Sequence, residues 1–336
     1  MQTEKIDLTT KLDEKESINL VKYITQKYEE YESNRSMQLS DIRVVRDSIY
    51  STRVPSVKDW NTNIELPDIY ELAQTLKAHI SENLYSHADG MFDVSGVTPQ
   101  AQMLANRQKA MLVNTFEQMN IENELEKIID SIVETGECTL FVGWETKVKN
   151  IRRAKTIEEQ LTSPDENSFV VENKVVYDNA KVKHIKAEDF VFDALNKDNW
   201  NSCAKIYRTF SSLDEVQNNS LNNALTPEKL ENLKMLVTNK RNKDSEKGVD
   251  GKKVEILEYW GDIELPNGKL LKNWLIVVAG RKEIIRFEAN PFVINPFIHA
   301  NIIESPNTNR GISPLKVAIV MNNISSNIMN KQLDAL

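Results

Sequence analysis

The spacing of apolar residues changes once along this chain, close to Cys138, and this change limits the folds that the chain can adopt. Before Cys138, apolar side chains recur at steps of three and four, as in Ile18, Val21 and Ile24, which marks one face of a helix. After Cys138, runs rich in aromatic and β-branched residues, beginning at 139–144, are typical of strands. The sequence therefore predicts an α+β protein whose N-terminal part is mainly helical.

Capping and breaking residues set the limits of the predicted helices. Ser40-Asp41 is expected to cap a helix that runs through Ile49. Thr98-Pro99 places a proline in the first turn of another helix, and Gly136 ends the last helix of this part. The N-terminal part is thus predicted to hold five helices, which begin near residues 14, 40, 68 and 98 and, for the fifth, shortly before Leu125.

The densest β segment lies between Val254 and Phe287. It predicts a three-stranded antiparallel meander with strands at 254–260, 274–278 and 283–287, joined by turns at 266–268 and at Gly280-Arg281. Shorter strands are expected at 175–177, 182–185, 190–192 and 205–210. The basic run 147–155 is interpreted as a solvated hairpin connection, with contact to phosphates as the alternative.

The last predicted helix is almost free of charge. Ser313 is expected to cap it and Pro314 to occupy its first position. Its expected apolar stripe is Leu315, Ile319, Ile324, Ile328 and Leu333, and asparagines stand at 322, 323, 327 and 330. No stop signal precedes Leu336, so we expect the folding unit to continue in a longer chain or in a partner. The predicted divisions are 1–136 (helical), 137–310 (β-rich) and 311–336 (helix).

Composition excludes several classes of protein. The net charge of −8, from 42 basic and 50 acidic residues, is unlike a protein that grips DNA over its whole surface. Two cysteines, Cys138 and Cys203, cannot form a disulfide-stapled domain or a cysteine-based zinc site. No apolar run approaches the length that crosses a membrane, and the N-terminus is unlike a secretory signal. Neither GxGxxG nor GxxxxGK[ST] occurs.

No catalytic pattern stands out in the sequence. His79 and His87 are too far apart on one helix to share a metal ion, and the carboxylates at 59, 65 and 68 match the average acidic content. Cys138 is expected to be a small core residue. Tyr259-Trp260 is expected to pack in the core, with base stacking as the alternative. The sequence thus predicts a structural or assembly protein with no enzymatic activity, cofactor or metal.

Four segments occur in an informative order: Glu258-Tyr259-Trp260 in a strand, Gly280-Arg281 at a turn, Asn295-Pro296-Phe297, and Gly311-Ile312-Ser313-Pro314 before the asparagine-rich helix. This succession resembles the portal proteins, or head–tail connectors, of tailed bacteriophages, especially short-tailed ones. The resemblance covers about residues 55–336. It takes in the motif residues Tyr259, Trp260, Gly280, Arg281, Gly311 and Pro314.

The resemblance implies a ring, usually of twelve copies, at one vertex of the capsid. Such a ring is the channel for DNA packaging and ejection and a platform for the terminase and the tail. It implies as partners the chain itself, the major capsid protein, a scaffolding protein, the terminase large subunit, a tail adaptor protein and the double-stranded DNA that passes through. It also implies location at the portal vertex of the virion, after assembly in the host cytoplasm, with no membrane.

On the portal template, residues 1–310 are expected to form the wing and 311–336 the first stem helix, so that the clip and crown would follow Leu336. A nearly uncharged helix suits a channel wall along which DNA slides, because few phosphates are neutralised. The residues expected to face the channel are Lys316, Asn323, Asn327 and Lys331. Two alternatives remain: a non-viral interaction scaffold whose last helix docks on a partner helix, and a Mg²⁺-dependent DNA-processing enzyme fragment using Glu255, Glu258 and Asp262.

Overall fold

The computed structural model describes residues 13–50, 62, 64, 66–85, 93–154, 169–195, 200, 203–239, 249–250, 253–265, 268–292, 294–306 and 308–335. Some of the residues considered above lie outside these ranges: Asp59, Glu65, His87, Lys155, Pro266 and Asn267.

Within the described ranges, the chain forms eight α-helices and nine strands, which confirms the predicted α+β class. The helices are α1 (Glu14–Asn34), α2 (Ser36–Ile49), α3 (Asp68–Tyr85), α4 (Pro99–Met119), α5 (Ile121–Thr135), α6 (Leu213–Asn218), α7 (Pro227–Asn239) and α8 (Leu315–Asp334). The strands are β1 (Glu137–Ala154), β2 (Phe169–Ile185), β3 (Phe190–Phe192), β4 (Lys205–Ser212), β5 (Val249–Asp250), β6 (Lys253–Glu264), β7 (Leu270–Ala279), β8 (Glu283–Ala289) and β9 (Phe297–Asn301).

The strands form two antiparallel sheets. The smaller sheet has the order β2–β1–β9, and the larger has the order β3–β4–β6–β7–β8, with β5 paired to β6. The predicted meander is confirmed as β6–β7–β8. Gly280 and Arg281 form its second turn with φ values of 58° and 57°, the left-handed pair that matches the twist of a tight hairpin.

Three groups of buried side chains hold the elements together. Helix α1 covers one face of the larger sheet through Leu20, Ile24 and Tyr28. Helices α6 and α7, together with Phe297 of β9, cover the other face. The third group lies among α2, α3, α5 and α8, so the last helix packs on the N-terminal helices; its members are Val45, Ile49, Ile69, Ala73, Val133, Leu315 and Ile319. The predicted division at residues 136 and 310 stays a prediction.

The local signals around Thr98 and Gly136 act as predicted. Thr98 Oγ1 accepts a hydrogen bond from the Ala101 amide at 3.2 Å, and Gly136 ends α5 with φ of 78°. The Ser40-Asp41 cap is wrong, because α2 already begins at Ser36. The break between α1 and α2 is at Arg35, whose buried guanidinium donates to the carbonyls of Ala187, Glu188 and Phe190. A long-range anchor, rather than a side-chain cap, sets this boundary.

Two predictions for the smaller sheet are also wrong. The short strands expected at 175–177 and 182–185 are parts of one long strand, β2, because β1 pairs with it from Thr139 to Ala154. The basic run does not connect a hairpin: residues 147–154 continue β1 and pair with 169–177 of β2. A bulge between Lys147 and Val148 lets the pairing continue past an irregular step.

Candidate functional site on the last helix

The first turn of α8 is bonded to the end of α5. Ser313 Oγ donates to the Val133 carbonyl at 2.8 Å and accepts from the Leu315 amide at 3.2 Å. The helix begins at Leu315, and its capping position is Pro314. Both are one residue later than the sequence predicts, which is a cap at Ser313 and a first helical residue at Pro314. The Ser313 hydroxyl still satisfies one of the free amides of the first turn, which was the predicted role of this residue.

Gly311 lies in a buried contact that fixes the direction of this helix. Its amide donates to Glu137 Oε2 at 3.1 Å, and Arg310 Nη1 donates to the other oxygen of the same carboxylate at 3.1 Å. A Cβ on Gly311 would stand 2.1 Å from the Gly136 carbonyl oxygen, so the two glycines allow the backbones to meet. Burial lowers the pKa of the Arg310 guanidinium, and the Glu137 charge opposes this shift. The Gly-x-Ser-Pro motif thus positions α8.

The predicted apolar stripe of α8 is wrong beyond its second turn. Leu315 and Ile319 are buried, but Ile324, Ile328 and Leu333 are 50%, 53% and 38% exposed. Asn322 and Ser326 are buried instead. The reason is that this part of the helix faces a length of polar backbone rather than another apolar helix.

The neighbouring backbone belongs to residues 62, 64 and 66. Ser326 Oγ accepts from the Leu66 amide at 3.2 Å, and Asn322 Nδ2 donates to the Leu66 carbonyl at 3.3 Å. Asn330 makes two bonds to one residue: its Oδ1 accepts from the Ile64 amide at 2.9 Å and its Nδ2 donates to the Ile64 carbonyl at 3.0 Å. We call Asn322, Ser326, Asn330 and Asp334 the polar ladder.

The spacing of the polar ladder explains why it can bind an extended chain. Four residues advance about 6 Å along a helix, at 1.5 Å each. Two residues advance about 6.7 Å along an extended chain. Ser326, Asn330 and Asp334 therefore meet every second residue, at Leu66, Ile64 and Thr62, and the last of these bonds runs from the Thr62 amide to Asp334 at 2.6 Å. Asn322 adds a second bond to Leu66. Binding through backbone groups does not depend on the side chains of the segment.

The opposite face of α8 is apolar and exposed. Val317 and Met321 are 73% and 66% exposed, and Val320, Ile324 and Ile328 continue the same face. We call these five residues the outer stripe. An apolar face of this kind on a folded protein is typical of a surface that another molecule covers.

The four residues expected to face DNA lie together beside the outer stripe. At 100° per residue, Asn323, Lys316, Asn327 and Lys331 occupy about 80° of the helix circumference, a sector that also holds Val320 and Asp334. Lys316 Nζ donates to Asp41 Oδ2 of α2 at 2.6 Å, and Asn323 is half-buried. Asn327 and Lys331 are exposed. We call these four residues the polar flank; their contact with DNA stays a prediction.

Tyr259 and Trp260 lie in the core, as expected. Tyr259 is fully buried, and its hydroxyl donates to the Asp262 carbonyl at 2.6 Å. The Trp260 ring stacks on Phe292 with centroids 6.2 Å apart and meets the edge of Phe297 at 5.5 Å. Since these faces are occupied by other rings, neither residue offers a surface on which a base could stack.

Gly280 and Arg281 tie the meander to the first helix. Arg281 donates from Nε and Nη2 to the two oxygens of Glu255, at 2.6 and 3.0 Å, and from Nη1 to Glu29 of α1 at 3.2 Å. Its guanidinium also lies 5.1 Å from the centre of the Tyr28 ring. The motif is therefore a structural clamp, because the left-handed turn aims the arginine at α1.

The carboxylates of the Mg²⁺ alternative are not brought together. Glu255 is held by Arg281, Glu258 lies on the opposite face of β6, and Asp262 accepts from the Asn273 amide at 2.8 Å. Burial raises the pKa of Glu258. Among the described residues there is no group of three His, Cys, Asp or Glu side chains able to hold a metal ion. Glu255, Glu258 and Asp262 therefore do not share one site.

Cys138 is buried as predicted, and burial raises the pKa of its thiol to about 12.

None of the helices in the described part of the chain is long and apolar enough to cross a membrane. No protein-family model matches this chain, and no curated protein matches it.

The polar ladder was missed at the level of sequence, although its spacing was visible. Composition alone suggests only that the asparagines make the helix surface weakly charged. The informative feature is that polar residues recur every four positions from Asn322 to Asp334. The Glu137–Arg310 pair had no such signal, since the two residues are 173 positions apart.

Proposed function

We propose that this chain is the subunit of a portal ring, a channel through which viral DNA is packaged and ejected. The observation that carries the proposal is the division of α8 into three faces. One face is bound to the body by Leu315, Ile319 and the polar ladder. The outer stripe is apolar and exposed, and the polar flank adjoins it.

These three faces match what a helix around a channel requires. A helix in a ring needs one side attached to its own subunit, one side that packs on the neighbouring copy and one side that faces the channel. The outer stripe is suited to the neighbour because contact with another copy would bury its exposed apolar area. The polar flank is suited to the channel because it holds two asparagines and only two lysines, one of them paired with Asp41.

The proposal includes the partners that the resemblance implies. The subunit would be a non-catalytic component of the virion, at one vertex of the capsid. It would contact the major capsid protein and a scaffolding protein during assembly in the host cytoplasm, and the terminase large subunit and a tail adaptor protein at the ends of the channel.

The mass of the assembly tests the proposal. We expect native mass spectrometry and negative-stain microscopy of the concentrated chain to detect a closed ring of about twelve copies. Ile324→Asp with Ile328→Asp should abolish the ring, because it places charges in the outer stripe. The matched control is Ser325→Asp with Gln332→Asp on the same helix. A wild-type chain that stays monomeric contradicts ring formation by residues 1–336.

A packaging assay tests the channel flank separately. Lys331→Glu should slow DNA passage if this flank faces the duplex, because the new carboxylate repels phosphates. Lys316→Glu also breaks the pair with Asp41, so Lys331→Glu is the cleaner variant. Packaging and ejection that are unchanged in the double variant Lys316→Glu, Lys331→Glu would exclude a direct role.

The outer stripe also supports one alternative, an interaction scaffold whose last helix docks on a partner helix. That reading gives a monomer or dimer under the same conditions, and the measured mass separates the two.

A further inference from the structure

The hairpin of β1 and β2 has an outer part that differs from its base. At the base, β9 pairs with β1 over 137–141, and Glu124 of α5 accepts from the His184 amide at 2.7 Å. Beyond the bulge at Lys147/Val148, the described pairing of β1 is with β2. We call residues 149–154 and 169–174 the outer ribbon. A two-stranded ribbon is marginally stable alone.

The outer ribbon is basic in an acidic protein. Four cations, Lys149, Arg152, Arg153 and Lys174, stand against one carboxylate, Glu172, whereas the whole chain has a net charge of −8. Lys149, Arg152 and Lys174 are exposed. The ribbon residues 149–154 and 169–174 therefore carry a net charge of +3, whereas the connection 155–168 adds one lysine and four carboxylates.

Two of these cations stand directly opposite each other. Lys149 pairs with Lys174 in the register of β1 and β2. Directly opposed side chains have Cβ atoms about 5 Å apart, and like charges at such positions destabilise a ribbon. Residues 149, 151 and 153 of β1 share one face, so Arg153 lies on the same side as Lys149. Arg153 Nε donates to Glu172 Oε2 at 2.9 Å. A polyanion that lies over this face would offset the repulsion between the two lysines.

We infer that the face of the outer ribbon with Lys149, Lys174 and Arg153 binds the phosphate backbone of double-stranded DNA. The three cations extend about 13 Å along the strand, at 3.3 Å per residue. A duplex presents several phosphates over that length. The apolar side chains Phe169 and Val171 lie on the opposite face with Arg152, whereas Ile151 and Val170 lie on the binding face among its three cations and Glu172. These cations suit a polyanion better than a protein surface.

This surface goes beyond the proposed channel. A channel wall has to let DNA slide, whereas paired lysines hold a phosphate backbone through release of counterions. The inference does not rest on ring formation, because the outer ribbon lies on the β-rich part of the subunit and not on α8.

Fluorescence anisotropy of a labelled 20-base-pair duplex with the full chain tests the inference. Lys149 and Lys174 give two phosphate contacts and a slope of about −1.8 in log K against log salt, so the affinity should fall about 12-fold between 50 and 200 mM salt. In Lys149→Gln, Lys174→Gln the one cation left on this face is Arg153, which is paired with Glu172, so the salt dependence should be nearly flat, with weaker binding at 50 mM. Glu172→Gln should strengthen binding, because it removes the carboxylate of this face.

The control is Lys234→Gln with Lys272→Gln, which makes the same change of charge on exposed lysines of α7 and β7. It should leave the salt dependence unchanged. The ribbon variant removes a repulsive pair, so it is expected to fold and to keep the mass of the wild-type assembly, which separates this test from that of the ring. DNA binding equal to wild type in the ribbon variant overturns the inference. So does absence of binding at 50 mM salt, or binding of polyglutamate in preference to DNA.

Discussion

The bonds between Asn330 and Ile64 allow a sharp test of how α8 holds the extended segment. Asn330→Ala removes both bonds to one backbone unit, at 2.9 and 3.0 Å. Each such bond contributes about 0.5–1.5 kcal/mol net, and because Ile64 is partly exposed, water replaces part of the loss. We therefore expect local docking of the segment to weaken by about 1–2 kcal/mol.

The assay is hydrogen exchange at the Ile64 amide, resolved by fragmentation mass spectrometry. A loss of 1–2 kcal/mol predicts about 5- to 30-fold faster exchange at this amide. Alanine is a better helix former than asparagine, so α8 itself should not be weakened and its amides should exchange no faster. Asn327→Ala, on the exposed flank of the same helix, is the matched control and should leave Ile64 unchanged.

One result would refute this reasoning. If Asn330→Ala leaves the Ile64 amide as protected as in the wild type while the circular dichroism of the helices is retained, the polar ladder does not hold the segment. Faster exchange in both Asn330→Ala and Asn327→Ala would point to a general loosening of α8 instead.

Three further outcomes are expected. Glu137→Gln leaves Arg310 buried without its counter-charge, so urea denaturation should report a loss of about 3–5 kcal/mol, whereas exposed Glu231→Gln should change stability by less than about 0.5 kcal/mol. Gly136→Ala should lower the thermal midpoint sharply, because φ is 78° and the new Cβ would stand 2.1 Å from a backbone carbon. Hydrogen bonds from the Thr62 side chain and then from its amide lower the pKa of Asp334, so its docking is present above the unfolded pKa and should be lost as pH falls through the lowered pKa of the folded state, measured by exchange at that amide.

The meander shows how far local patterns reach. Residues 254–287 hold three runs rich in β-branched and aromatic residues, separated by turn signals, and each of the three strands appears where this pattern predicts it. The Thr98 cap and the Gly136 stop succeed for the same reason, since their partners are within three or four residues. When the two residues of an interaction lie within a few positions of each other, the local sequence pattern is enough to predict it.

The errors occur where the partner is distant. The start of α2 depends on carbonyls more than 150 positions from Arg35, and the length of β2 depends on β1 on the far side of a long connection. The apolar residues of α8 suggest a core stripe, but Ile324 and Ile328 are exposed because the backbone groups of Leu66 and Ile64 bond to the other side of the helix. No local rule contains that information.

The sequence by itself determined the α+β class, the antiparallel meander, the helix ends with local caps and the burial of Tyr259, Trp260 and Cys138. Hydrophobic period and capping chemistry are enough for these, because they act between near neighbours. Only the tertiary structure decided which face of α8 is free, that the asparagines bind backbone, that the Mg²⁺ carboxylates stay apart and that Lys149 stands opposite Lys174. Each of these depends on two segments far apart in the chain, and their relative position is set by packing and register.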